Sequence, residues 1–138
     1  MPHDPVLLAD TRAWMEKARL DLGAGDADLS HDPPYSGDAM FHAQQAAEKA
    51  LKALHYLGGE RLVIGHSLLE LLRALLTRHP ALADLEEAAR RLDQYYVPTR
   101  YPNGLPGGTP ADVFSKAQAT EALAQAKRFV EVAGALIG

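Results

Sequence analysis

Along nearly the whole chain, apolar residues recur at three- and four-residue intervals, and no strand-length run alternates apolar with polar. That period builds a helix face, whereas successive side chains of a strand point to opposite sides. Asp4 before Pro5 reads as an N-cap with proline at the first helical position. Leu7, Leu8, Thr11, Trp14, Met15, Ala18 and Leu22 form one stripe, and Gly23 with Gly25 is expected to close this helix. Residues 30–37 carry the breaker residues of a loop. A second helix is expected from near Ser36 to the Gly58-Gly59 stop. A third starts at His66-Ser67 and ends before Pro80, and a fourth runs from Ala81 to Tyr96, where Pro98 stops it. The expected inward residues of the fourth are Leu82, Leu85, Ala89, Leu92 and Tyr96. Residues 99–110, rich in proline and glycine, are expected to contain no helix. The last helix runs from Pro110 or Ser115 to Ile137, with Val113, Ala117, Leu123, Ala126, Val130, Ala133 and Ile137 inward. The pattern predicts an all-α fold, an up-and-down antiparallel bundle of about five helices in a single domain over residues 1–138.

Composition removes several kinds of chemistry. The 138 residues include no cysteine, which excludes disulfides, thiolate metal sites and a cysteine nucleophile. A formal net charge of −4 disfavours a protein that coats nucleic acid indiscriminately, though not a local basic site. No apolar run approaches the roughly 20 residues that span a bilayer, and no secretion signal is visible, so a cytoplasmic location without membrane attachment is expected. The six histidines do not have the spacing of a metal site, and no metal or cofactor is expected. His66 and Glu70, one turn apart, could equally cap a helix start. There is no nucleophile elbow or phosphate-cradling glycine loop.

The second helix carries the most informative surface. Met40, Ala43, Ala47, Leu51 and Leu54 share its core stripe, and Gln45, Glu48, Lys49 and Lys52 gather on a neighbouring one. Taken by spacing alone, these four are an ordinary solvated face with Glu48 and Lys52 as an i,i+4 pair. Gln44 lies on the apolar stripe and needs a partner across a helix or subunit contact. Arg100-Tyr101 is the second candidate. Arginine fits phosphate and tyrosine can stack on a base, but the same residues could cap a helix end and plug the bundle.

Read in order, several segments resemble the HEPN family, small helical domains found alone or beside minimal nucleotidyltransferases. The likeness rests on Trp14, Ala18 and Asp21-Leu22, then on Phe41-His42-Ala43-Gln44-Gln45-Ala46-Ala47-Glu48-Lys49-Ala50-Leu51-Lys52-Ala53. It continues through His66-Ser67-Leu68, Leu71-Leu72, Tyr95 or Tyr96, and Arg100-Tyr101-Pro102. The resemblance implies a helical bundle, often a homodimer, with a polar groove for a nucleotide or RNA. On that basis Gln45, Glu48, Lys49, Lys52, Arg100 and Tyr101 are expected to form one ligand-binding site. A minimal nucleotidyltransferase is the expected partner, in a toxin–antitoxin-type pair. Many family members are metal-independent ribonucleases with an Arg-x(4–6)-His motif. Arg61 with His66 has that spacing, as does Arg73 with His79, yet random placement would give about one such match. No histidine follows Arg100, where the late motif belongs. Binding without cleavage is therefore the leading expectation. An endoribonuclease using His66 and Arg61, or a purely structural dimerisation partner, is the alternative.

Overall fold

The computed structural model describes residues 4–95 and 114–138. Among these residues the chain forms five α-helices and no strand: α1 (Pro5–Ser30), α2 (Ser36–Leu57), α3 (Leu68–Leu75), α4 (Glu86–Asp93) and α5 (Lys116–Ile137). A 3₁₀ helix, Pro80–Leu85, leads into α4. The fold is the all-α bundle that the periodicity predicts. Tyr96, Arg100, Tyr101 and Val113 lie outside the described residues.

The local starts follow the capping rules. The Asp4 carboxylate accepts from the Val6 N–H at 2.7 Å, with Pro5 at the first helical position. Ser115 and Gln118 form a reciprocal capping box at the start of α5. The start of α3 has two caps. Ser67 Oγ accepts from Glu70 N–H at 3.2 Å, and Asp93, from the end of α4, accepts from Leu68 N–H at 2.7 Å and Leu69 N–H at 3.1 Å. His66 and Glu70 therefore do not cap this helix as a pair.

Gly23 and Gly25 do not end α1, which runs on to Ser30. Gly25 is buried, and a Cβ there would press on the Leu123 side chain of α5. A helical glycine costs about 1 kcal/mol relative to alanine; here it lets two helices approach closely. On α5 the inner face also differs from the expected one. Ala117 is exposed, while Ala119, Ala122 and Phe129 join Leu123, Ala126, Val130 and Ala133 inside.

Helix α2 is the axis of the molecule. It packs against α1 along one flank and α5 along another, and its second half meets α3. Ala39, Met40, Ala43, Ala46, Ala47, Ala50, Leu51, Ala53 and Leu54 are all buried. Alanine dominates that surface because neighbouring helices press on it from several sides and leave little room for larger side chains. The leucines of α3, Leu68, Leu71, Leu72 and Leu75, close the core with Leu82, Leu85 and Leu92.

Candidate functional site

A helix enclosed on several sides has little solvated face, and this changes the reading of its polar residues. Glu48 is 4% exposed and Lys52 is 7% exposed, while Gln45 and Lys49 are half-buried. The expected surface patch is instead a row of polar and ionic groups set into the bundle wall. Ionised groups at such depth need partners, because desolvation costs several kcal/mol per ion. They have them: among the described residues no buried side-chain nitrogen or oxygen lacks a hydrogen-bond partner.

The partners come from three directions. Glu48 Oε2 lies 3.3 Å from Lys52 Nζ, and Glu48 Oε1 lies 3.0 Å from His66 Nδ1. Lys49 pairs with Asp21 of α1. Gln44 is fully buried; its Nε2 donates to the His66 backbone carbonyl at 3.3 Å, and its Oε1 accepts from Gln45 Nε2 at 2.6 Å. The partner that Gln44 needs is thus the backbone just ahead of α3 within the same chain. Together Gln44 and Glu48 hold His66 from below, by its carbonyl and its ring. The imidazole itself is more than half exposed, with its side-chain accessibility at 56%.

Trp14 of α1 completes the wall. Its ring stacks on Tyr56, with centroids 5.5 Å apart and planes 17° from parallel. Lys52 Nζ lies 5.8 Å from the indole centroid, within cation–π range. Tyr56 is in turn tied by its hydroxyl, which accepts from Val63 N–H at 3.4 Å.

Of the residues predicted for the site, Gln45, Glu48, Lys49 and Lys52 are gathered on one wall, and His66 joins them. Arg61 is exposed in the connection between α2 and α3, 5 residues before His66 in sequence. Arg100 and Tyr101 lie outside the described residues. Sequence reasoning missed Trp14 and Asp21 as members of this wall. Periodicity places Trp14 on a core stripe, and the signal that could have found its role is its position among the first-helix residues of the HEPN resemblance. No group of three or more His, Cys, Asp or Glu side chains is placed to hold a metal ion among the described residues. No helix of the described chain is long and apolar enough to cross a membrane.

The sequence and the helical bundle it forms match known proteins. The sequence profile of the HEPN domain matches residues 11–136, and the chain belongs to the HEPN family. The crystal structure of TT1696 from Thermus thermophilus is 40% identical in sequence, with a TM-score of 0.82 over 90% of this chain and 95% of that one. ST0689, described as an archaeal HEPN homologue, is 32% identical, with a TM-score of 0.73 over 93% of this chain and 98% of that one. No relative of curated function matches significantly.

Proposed function

We propose that this HEPN domain binds a nucleotide or RNA on the wall formed by Gln45, Glu48, Lys49, Lys52 and His66, together with Arg100 and Tyr101. One observation carries the reading: an ion pair, Glu48–Lys52, buried in the bundle wall, a place where apolar side chains of similar volume often serve stability equally well. Ions held in place at a partly dry wall are preorganised for a charged ligand, because the site need not reorganise when phosphate arrives. Arg100 neutralises phosphate, the paired lysines donate hydrogen bonds to it from fixed positions, and the amide and tyrosine ring supply further hydrogen bonding and stacking. In this reading the protein is a cytoplasmic homodimer that works beside a minimal nucleotidyltransferase in a toxin–antitoxin-type pair. Calorimetric titration with ATP, GTP and short RNAs tests the binding. Lys49→Ala, Lys52→Ala and Arg100→Ala should each weaken it at least several-fold, and unchanged affinity in all three would show that the site is elsewhere.

A second reading is favoured by the Glu48–His66 contact. A buried carboxylate on Nδ1 fixes the ring, the arrangement by which a carboxylate orients a histidine acid–base. Under this reading Arg61 or Arg100 would steady the phosphorane formed when a 2′-hydroxyl attacks. Incubation with RNA in EDTA separates the two: cleavage that His66→Ala abolishes makes the protein a ribonuclease, and intact RNA leaves it a binding module.

A further inference from the structure

Between α1 and α2, beside the Trp14 indole, lies an open cleft of about 370 Å³ lined by Ala13, Trp14, Lys17 and Lys49. We infer that this cleft is the base-reading part of the site, holding one unpaired nucleobase against Trp14 with its phosphate on Lys17. The inference rests on the nucleotide-binding reading and goes further, by naming which residues select the ligand and what its base must do.

Three features point to this occupant. The first is rigidity. Tyr56 and Lys52 hold the indole in place, so a planar ligand beside it loses little more entropy than its own. The second is charge. Lys49 is neutralised by Asp21 and Lys52 by Glu48, whereas Lys17 is exposed and has no ion pair among the described residues. The cleft thus offers one uncompensated cation at an otherwise aromatic and aliphatic surface, which complements an aromatic ring joined to a phosphate. The third is size. Its volume lies near the lower end of the range for small-ligand pockets, about 300–1,000 Å³, too small for a duplex but adequate for a single base and its sugar. A base must be unstacked to enter, so the ligand class is a nucleoside 5′-phosphate or single-stranded RNA. Paired RNA, whose bases face each other, is excluded.

Trp14 is the chain's single tryptophan, which gives a direct readout. Native protein is titrated with AMP, with a single-stranded oligoadenylate, with the same oligomer paired to oligouridylate, and with ribose 5-phosphate. Binding is followed by calorimetry and by indole emission. AMP and the single strand should change the emission saturably, with the affinity that calorimetry gives; the duplex and ribose 5-phosphate should not. Lys17→Ala, an exposed change that leaves packing alone, should weaken the single strand about 3- to 10-fold. It should also flatten the plot of log affinity against log salt by about 0.7, the value for one phosphate contact on a single strand. Trp14→Phe keeps a ring and should weaken binding only a few-fold, whereas Trp14→Ala should weaken it about 5- to 100-fold, as expected for one lost base stack. Circular dichroism confirms that each variant is folded, and if Trp14→Ala is not, the Lys17→Ala and emission results decide. Nucleotide binding by calorimetry with unchanged emission and a neutral Lys17→Ala overturns the cleft and leaves the nucleotide reading standing. Absence of any nucleotide binding overturns both.

Discussion

Glu48–Lys52 and Glu87–Arg91 are acid–base pairs of the same spacing, each four residues apart on a helix and in the same order. The first is buried at 4% and 7% exposure. The second is open to solvent, with side-chain accessibilities of 56% for Arg91 and 70% for Glu87 and a separation of 3.6 Å. Identical spacing gives them identical weight on a helical wheel. Depth makes them different objects. In water the attraction is screened and opposed by side-chain entropy, whereas in the bundle wall each ion depends on its partner, since the surroundings cannot replace lost hydration. A helix that neighbours enclose can therefore carry charge that is costly to disturb.

The sharpest way to break this comparison is to remove one ion from the buried pair. Glu48→Ala should cost about 3–5 kcal/mol, because it leaves Lys52 buried without its carboxylate and takes the support from His66. Replacing both, Glu48→Leu with Lys52→Met, should restore stability to within about 1 kcal/mol of the parent while abolishing nucleotide binding. Urea unfolding with unchanged slope measures the first claim and calorimetry the second. If Glu48→Ala cost no more than a surface change, burial would not be the deciding variable.

Asp93 tests an intermediate depth. It is half-buried and receives two backbone N–H groups at the start of α3 along with the Ser67 hydroxyl. Asp93→Ala should cost about 1–3 kcal/mol, with faster hydrogen exchange at Leu68 and Leu69. On the surface, Glu87→Ala should change stability by no more than about 0.5 kcal/mol, within reach of the same unfolding experiment. The smallest effect belongs to the exposed Arg73–Glu86 contact at 2.9 Å. Its hydrogen bond from Arg73, more than the charges of Arg73 and Arg90, holds the Glu86 carboxyl below its ordinary value. A carboxyl lowered in the fold contributes above its unfolded pKa, and that contribution fades as the pH falls through the folded one. Arg73→Ala should slightly reduce the acid-side pH dependence of stability and leave the neutral range almost unchanged.

Much of this molecule is legible in its sequence. The period of the apolar residues, the Asp4-Pro5 cap, the Ser67 start and the Ser115 alternative for the last helix all correspond to the structure, because each depends on residues within a turn or two of one another. Gly25 misleads for the opposite reason: its role is contact with Leu123, nearly a hundred residues away. Ala117 is misplaced by periodicity because an alanine-rich helix has a weak apolar stripe, and Ala119 or Ala122 fits the period equally well. Asp93 does not stand out in the sequence because nothing local shows that it caps another helix.

For the site, the sequence by itself determined which groups share a side of the second helix: Gln45, Glu48, Lys49 and Lys52 follow from a rotation of about 100° per residue. It also determined that these groups stand on a domain with no thiol chemistry. Only the tertiary structure decided how deep they lie, that His66 reaches back to Glu48, and that Trp14 and Lys17 flank them from another helix. The reason is physical. A period fixes angles about one axis, while burial and partnership depend on where other axes pass, and those are set by long-range packing.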